Sequence, residues 1–376
     1  MKINSFLLRR LLPLSLLLLA LAGCQSAAPE EKKAAVFYPQ PPDAPRLQYL
    51  TSFSGEQDLV REVSKFQSFV VGKQVSNKLI AKPYGVALRY NKLYVCDVGL
   101  GSIDILDLKD RSFRYFAPGG EGKLVTPVNI AVDRDGTRYV ADTSRGQVLI
   151  YGADGQYRGA IGTKPAPPAE ASVAPGAVPE SMKPSDVVVA GNRLFISDLQ
   201  SHLVHVYDKT KRERLFTVPN DPAKAEPRSQ LFSPVNMALD TQGRLYVSDL
   251  GSFRVQQYDA DGRYLRTFGL GAGDKPGEFT RPKGVAVDRD GRVYVVDAAS
   301  QVVQIFDEQG RLLLIFGEMQ NGNPGLDLPA KIIIDYEHVA LFQSYAAPGF
   351  HLEYLVLVTS QFGERKVSVF GFGHNN

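Results

Sequence analysis

The stretch from residue 284 to 307 reads GVAVDRDGRVYVVDAASQVVQIFD and contains three short apolar segments separated by polar residues. Each segment is rich in β-branched residues and is bounded by residues that favour turns, which indicates β-strands. The pair Asp290-Gly291 lies between the first two segments and is typical of a hairpin, because glycine tolerates the positive φ that such turns need. The stretch therefore predicts an antiparallel meander.

This stretch recurs along the chain. Six segments begin with a proline and continue as an apolar strand, and they start at Pro83, Pro127, Pro184, Pro234, Pro282 and Pro329, at spacings of 44, 57, 50, 48 and 47 residues. Four short strands repeated at just under fifty residues are typical of a β-propeller. We therefore expect an all-β fold, a six-bladed propeller of four-stranded antiparallel blades, in one domain over residues 46–376.

The sixth unit lacks a fourth strand before the chain ends. The missing strand is present at the other end of the domain, because RLQYLTSFSG at residues 46–55 resembles RYLRTFGLG at residues 263–271. We expect residues 46–53 to complete the last blade. Closing the ring in this way removes two exposed sheet edges that would otherwise promote aggregation.

The pattern P-x-G-V-A-V-D-x-D-G-x-x-Y-V-x-D, followed by an apolar strand and D-x-x-G, covers nearly all of residues 80–318. It resembles the NHL repeat, and the chain as a whole is similar to bacterial NHL-propeller lipoproteins. Blade 6 departs from the pattern, since it lacks the D-G turn and inserts AAPGFHLEY. The resemblance implies the fold and leaves the function open, because this scaffold serves enzymes and binding platforms alike.

The N-terminus has the features of a lipoprotein signal peptide over residues 1–23. Three basic residues precede an apolar run that is too short for a permanent membrane span, and LAGC follows at residues 21–24. LAGC resembles the bacterial lipobox, which implies lipidation of Cys24. Gln25 in the next position favours the outer membrane in lipoproteins of two-membrane bacteria. Residues 24–45 are rich in Pro and Ala and are expected to form a tether between a lipid anchor and the propeller.

Charge and cysteine content exclude several function classes. Without residues 1–23, 40 basic side chains face 40 acidic ones, so the electrostatic signature of nucleic-acid binding is missing. Cys96 is the other cysteine and reads as a small buried residue. The chain has no C-x-x-C-H, so it attaches no c-type haem of its own.

An aspartate closes the second strand in five of the six units. These repeat aspartates are Asp97, Asp142, Asp198, Asp249 and Asp297. An aspartate at a strand end can accept hydrogen bonds from nearby backbone amides. Because the residue recurs in units that otherwise differ, we interpret it as architectural rather than as a ligand or metal site.

The second residue after each repeat proline varies from blade to blade and is a better functional candidate. This axial set reads Gly85, Asn129, Asp186, Asn236, Gly284 and Lys331, and its polar members are expected to bind a ligand at the mouth of the central channel. Asn129, Asp186 and Asn236 offer oxygen ligands of the kind that Ca²⁺ prefers. Blades 3 and 6 face each other in a six-fold ring, so Lys331 is expected to point at Asp186 and to disfavour a cation. We therefore expect no cofactor and no tightly bound metal.

Catalysis finds little support in the sequence. The histidines share no repeat position, and His202 and His205 are too close along an extended strand to aim at one ligand. Two hypotheses remain. The first is a lipid-anchored platform of the cell envelope that binds a protein partner or a ligand. The second is a periplasmic metal-dependent hydrolase or lyase, because regucalcin-type lactonases and peptidyl-hydroxyglycine lyases are similar propellers with an axial metal.

Replacing Cys24 with Ser tests the lipid anchor. Because the substitution removes the thiol that would carry the acyl chains, we expect the protein to move from the membrane fraction to the soluble periplasmic fraction. The measurement is cell fractionation followed by immunodetection, with Ser26→Ala as the control. A Cys24→Ser protein that stays as firmly membrane-bound as the parent would contradict the prediction.

Overall fold

A computed structural model describes residues 35–59, 78–162, 181–223, 225–320 and 323–375. The predicted signal peptide, Cys24 and most of the predicted tether lie outside the described residues. Residues 36–376 form one compact unit. No helix in the described ranges is long and apolar enough to cross a membrane.

Five four-stranded antiparallel sheets follow one another along the chain, each with its strands in sequence order. Blade 1 comprises Pro83–Arg89, Lys92–Asp97, Ser102–Asp107 and Ser112–Phe116. Blade 2 comprises Pro127–Val132, Arg138–Asp142, Gln147–Tyr151 and Tyr157–Ile161. Blade 3 comprises Pro184–Ala190, Arg193–Asp198, Leu203–Asp208 and Arg214–Val218. Blade 4 comprises Pro234–Leu239, Leu245–Asp249, Arg254–Tyr258 and Tyr264–Phe268. Blade 5 comprises Pro282–Val287, Val293–Asp297, Val302–Phe306 and Leu312–Phe316.

The sixth sheet joins the two ends of the domain. Its strands from the C-terminal part are Pro329–Asp335, Phe350–Ser360 and Val367–Asn375, and Leu47–Phe53 pairs with the last of these. Phe37–Tyr38 adds a fifth strand outside Leu47–Phe53, within the stretch that sequence analysis gave to the tether. The prediction that the N-terminal strand closes a six-bladed propeller is confirmed.

The remaining elements are short. The 3₁₀ turns are Glu56–Leu59, Gly120–Gly122, Pro227–Ser229, Leu250–Ser252 and Gln343–Tyr345. A one-turn α-helix, Val339–Phe342, lies between the first and second strands of blade 6. Met319–Gln320 pairs with Asn323–Pro324 before blade 6.

The hydrophobic core consists of six clusters, one at each junction between neighbouring blades. The first strands show how one strand serves two junctions: Val285 packs toward blade 4, whereas Ala286 packs toward blade 6. A small residue on one face allows the strands to approach each other near the axis, where space narrows. The large-small-large pattern of the first strands therefore has a direct packing reason.

The hairpins between first and second strands follow the D-G signal. Gly291 has a φ of +81°, and its N–H donates to the Asp288 carbonyl over 3.1 Å. The Asp288 carboxylate accepts from the amides of Asp290 and Arg292. Glycine is needed in this turn because a side chain at positive φ would clash with the backbone.

Removing the closing strand is expected to destabilise the whole ring. Leu47 is fully buried and Phe53 is buried, so Leu47→Ala should lower the free energy of unfolding by about 2–5 kcal/mol. A variant that begins at Gly55 should melt earlier still and aggregate. The measurement is urea unfolding followed by circular dichroism. Ser52→Ala on the same strand is the control, and equal unfolding midpoints for Leu47→Ala and this control would contradict the expectation.

Candidate functional site

The repeat aspartates tie two loops of each blade together. In blade 5 the Asp297 carboxylate accepts from the amides of Thr280 and Arg281, just before the repeat proline, and from the amide of Ala299, just after the second strand. The loops before the first strand and after the second strand therefore lie on the same side of the ring. We call this side the aspartate rim and the opposite side, with the first hairpins, the turn rim.

All five repeat aspartates are almost completely inaccessible to solvent, at 0–1% exposure. Each accepts from at least one amide in the loop before its repeat proline, namely Lys82, Thr126, Lys183, Ser233 and Arg281. Blade 6 has Ser360 opposite its proline, and the Ser360 hydroxyl accepts from the Asp327 amide instead. These are the contacts of a capping residue, and the carboxylates have no open side for a ligand.

The axial set meets inside the ring. Lys331 Nζ lies 2.6 Å from Asp186 Oδ2, so blades 3 and 6 are joined across the axis by an ion pair. The same carboxylate accepts from the amides of Met237 and Val187, at 2.7 and 2.9 Å. Burial raises the pKa of Asp186 above its ordinary value, and the Lys331 ammonium opposes that shift. The expected opposition of these two side chains is present.

Asn129 and Asn236 lie beside the ion pair of Asp186 with Lys331, and we call these four side chains the polar layer. Asn129 Nδ2 donates to the Ser185 carbonyl at 2.8 Å and to Asn236 Oδ1 at 3.3 Å. The space is so small that a Cβ on Gly85 would lie 2.3 Å from Asn129 Oδ1. Gly85 is therefore required by its neighbour's side chain and contributes no ligand atom.

The polar layer lies below the surface and does not form the channel mouth. Asn129, Asp186, Asn236 and Lys331 are 0%, 1%, 0% and 6% exposed. These side chains therefore lie below the surface rather than at the channel mouth, and their expected role in ligand binding stays a prediction. Among the described residues, no group of three or more His, Cys, Asp and Glu could hold a metal ion. That the purified protein holds no tightly bound metal such as Ca²⁺ stays a prediction.

The turn-rim half of the channel is open, with a cavity of about 920 Å³. Its wall is the aliphatic side chains of the six first strands, and Lys331 lies at its inner end. Two ion pairs lie at its outer edge, Arg89 with Glu337 and Lys209 with Asp133, at 2.9 and 2.5 Å. The polar layer thus separates this cavity on the turn rim from the aspartate rim.

One Ser, His and Asp set resembles a hydrolytic triad in composition only. The Ser201 hydroxyl donates to Asp198 at 2.6 Å, and His205 Nε2 lies 3.2 Å from the same carboxylate oxygen. Burial would raise the pKa of Asp198, but the bonds from His205 and Ser201 outweigh it and hold the pKa at about 2. The Ser201 hydroxyl also lies 3.1 Å from His205 Nε2, so serine and aspartate meet the same ring nitrogen, and Nδ1 has no hydrogen-bond partner. In a hydrolytic triad the carboxylate orients one ring nitrogen and the hydroxyl meets the other. The two histidines predicted not to share a ligand, His202 and His205, indeed differ in environment, with His202 exposed and His205 buried.

Sequence reasoning missed a buried acid in blade 1. Burial and the nearby Asp97 charge raise the pKa of Asp104 to about 8, although the Ser102 hydroxyl donates to it. The raised pKa favours the protonated form of Asp104 near neutral pH. It occupies the place in the third strand that His205 and Gln304 hold in blades 3 and 5, as the strand registers show. The signal in the sequence was an acid in a position that other blades fill with uncharged side chains.

A second missed feature is a group of basic side chains on the aspartate rim, at the axial opening. Lys283 is 5% exposed, and its ammonium lies 4.9 Å from the centre of the Tyr84 ring. Burial, together with the charges of Arg281 and Lys82, lowers the pKa of Lys283 to about 8. Burial also raises the pKa of Tyr84 to about 12, so its hydroxyl remains protonated. We call Lys82, Tyr84, Arg281 and Lys283 the axial basic group.

Comparisons with known proteins agree with the repeat and the fold. The NHL repeat profile matches residues 279–306, within blade 5 and the loop before it, and the fold of the chain is a six-bladed β-propeller. No curated protein matched the sequence significantly. Among solved structures, a protein of unknown function from Bacteroides thetaiotaomicron is 14% identical, with a TM-score of 0.55 over 87% of this chain and 75% of that chain.

Two enzymes are similar in fold at the same low level of identity. A gluconolactonase from Xanthomonas campestris is 17% identical, with a TM-score of 0.50 over 90% of this chain and 97% of its own. Virginiamycin B lyase from Staphylococcus aureus, solved with quinupristin, is 13% identical, with a TM-score of 0.50 over 78% of this chain and 96% of its own. At these identities the similarity shows the fold alone.

The ion pair across the axis has a measurable consequence. Lys331→Met leaves the Asp186 carboxylate buried without its counter-ion, and it should lower the free energy of unfolding at pH 7 by about 3–5 kcal/mol. The loss should shrink at pH 5, because the pKa of Asp186 is raised and a protonated carboxyl tolerates burial without a counter-ion. Urea unfolding at both pH values measures this.

The matched comparison is the double variant Asp186→Leu with Lys331→Met. It removes both charges, so it should cost less than Lys331→Met alone. A single variant with the same loss at pH 5 and pH 7, or a double variant that is less stable than the single, would contradict the electrostatic reading of the polar layer.

Proposed function

We propose that this propeller is a binding platform of the cell envelope that presents its aspartate rim to a protein partner and performs no catalysis. The predicted lipid anchor at Cys24 and the tether would hold the ring near a membrane, with the outer membrane favoured by Gln25. The support for this role comes from the side chains on the aspartate rim.

The observation that carries the proposal is the distribution of exposed apolar side chains. Fifteen large apolar side chains are exposed in the described parts of the chain. Eight lie on aspartate-rim loops, namely Leu79, Leu100, Val125, Phe232, Phe253, Leu270, Met319 and Phe362, whereas three lie on the turn rim, namely Tyr90, Leu341 and Tyr345. Exposed apolar surface with polar residues around it is typical of protein interaction sites.

These side chains are placed by rigid supports. Phe232 lies next to the aspartate-bound amide of Ser233, and its own amide also donates to Asp249. Phe253 follows the 3₁₀ turn Leu250–Ser252 in the same blade. Loops fixed at both ends to a rigid ring lose little conformational entropy on binding, which favours affinity.

The enzyme alternative has weaker support. A lactonase or lyase is suggested by the fold of the gluconolactonase and virginiamycin B lyase structures, but fold similarity at this identity does not transfer activity. In this chain the axial oxygen atoms of Asp186 and Asn236 accept from Lys331 and Asn129, whereas the buried Asn129 Oδ1 has no hydrogen-bond partner. Ser201 and Asp198 contact the same ring nitrogen of His205, so this cluster differs from a triad, in which the carboxylate and the hydroxyl meet different ring nitrogens.

Photocrosslinking in whole cells tests the platform. Probes at Leu100 and Leu270 report on the aspartate rim, and probes at Tyr90 and Leu341 report on the turn rim. We expect a discrete crosslinked protein from the first pair alone. The double variant Phe232→Glu with Phe253→Glu should abolish these crosslinks without lowering the melting temperature, because both side chains are exposed.

Leu265→Glu is the matched control, since Leu265 is exposed on the outer strand of blade 4 and away from the rim loops. It should leave the crosslinks unchanged. Crosslinks confined to the turn rim, or measurable turnover of lactones or esters by protein that gives no crosslinks, would overturn the proposal.

A further inference from the structure

The axial basic group lies where three blades meet at the centre of the aspartate rim. Lys82 and Arg281 are the residues before the first strands of blades 1 and 5, and Lys283 and Tyr84 are the residues after the first prolines of the same blades. Blade 6 lies between these two blades in the ring. Lys283 reaches across this gap to the face of the Tyr84 ring.

The charges of this group are not neutralised by the protein. In the described part of the chain, no carboxylate pairs with Lys82, Arg281 or Lys283, and the Lys283 ammonium has no hydrogen-bond acceptor. The buried acid of the axis, Asp186, already accepts from Lys331 and two backbone amides. The Lys283 side chain is 95% buried, but its ammonium is not among the buried nitrogen atoms without a partner, so an anion that enters the axial opening can contact it.

Several other basic side chains around the ring are bound by acceptors of the protein itself. On the turn rim, Arg244 pairs with Asp240, Arg292 with Asp288 and Arg311 with Asp307, each at 2.5–2.6 Å. Arg145, on the aspartate rim, donates to the carbonyls of Glu121 and Lys123. Lys82 and Arg281 are exposed and Lys283 is buried, and among the described residues the contacts of the two lysines are aromatic rings rather than carboxylates.

We propose that Lys82, Arg281 and Lys283, with the Tyr84 hydroxyl, form a binding site for a carboxylate or phosphate group at the axial opening of the aspartate rim. The Arg281 guanidinium offers a planar pair of donors that matches the oxygen atoms of either group. Lys283 supplies the buried charge, and Tyr84 and Phe362 supply aromatic surface, since Lys82 lies over the Phe362 ring at 5.4 Å. Three cations around one site favour an anion with two charges over an anion with one.

The inference rests on the proposed function, because it takes the aspartate rim as the face that a ligand approaches. It adds that the group recognised there is an anion. The anion belongs either to a free small molecule or to a group carried by the protein partner. Both sources present the same oxygen atoms, so small anions are valid probes of the site.

Calorimetric titration of the full-length protein with inorganic phosphate, succinate and acetate at constant ionic strength tests the site. We expect phosphate or succinate to bind more tightly than acetate, and Lys283→Met to weaken that binding at least tenfold. Arg281→Gln should weaken it in the same direction. Because Lys283→Met replaces a buried unpaired charge with an apolar side chain of similar length, its melting temperature without ligand should equal or exceed that of the parent.

Lys183→Gln is the matched control, since Lys183 is exposed and holds the same place before the first strand of blade 3, on the far side of the ring. It should leave anion binding unchanged. No measurable binding of phosphate or succinate, or equal losses in Lys183→Gln and Lys283→Met, would overturn the inference.

The crosslinking experiment separates the two proposals. Intact aspartate-rim crosslinks with no anion binding would overturn the anion site and leave the platform standing. Anion binding that depends on Lys283, without any crosslink, would overturn the platform and identify a small anion as the ligand. Loss of crosslinks in Lys283→Met would show that the anionic group belongs to the partner.

Discussion

The pairing of residues 47–53 with the last strand is the constraint on which the rest of the structure depends. Leu47 lies opposite Phe372 and Phe53 opposite Val367, so the two ends of the domain form one sheet. Each hydrophobic cluster of the ring needs a blade on both sides, and the clusters on either side of blade 6 need this sheet complete. A propeller buries its blades only as a closed ring, and the closed ring in turn fixes which side chains meet at the axis.

Closure explains why the same repeat carries both uniform and individual positions. The repeat aspartates face the backbone of their own blade, so every blade has the same requirement and meets it with the same residue. The axial set faces the other blades, and a ring of six has no reason to present six identical side chains to one axis. Lys331 and Asp186 therefore act as a pair that only the closed ring brings together.

The polar layer divides the molecule into two functional halves. The turn-rim half has a cavity lined by the aliphatic side chains of the first strands, with the ion pairs of Arg89 with Glu337 and Lys209 with Asp133 at its edge. The aspartate-rim half has exposed apolar side chains around its edge and unneutralised basic side chains at its centre. This asymmetry of charge and exposed apolar surface distinguishes the rim that is suited to recognition, since desolvated cations and fixed aromatic groups are common centres of binding surfaces.

The sequence by itself determined the repeat, the number of blades, the strand order and the closing strand, because β-branched runs, D-G turns and prolines report on local backbone requirements. It also determined that Lys331 faces Asp186, since a six-fold ring places blades 3 and 6 opposite each other. The sequence could not determine how far below the surface the axial set lies. Its polar side chains are buried rather than at the channel mouth, because side chains from neighbouring blades cover them. Only the tertiary structure decided that the pKa of Asp104 is raised and that Lys283 is buried over the Tyr84 ring without a carboxylate partner, since burial and the distance to other charges depend on residues far away in the chain.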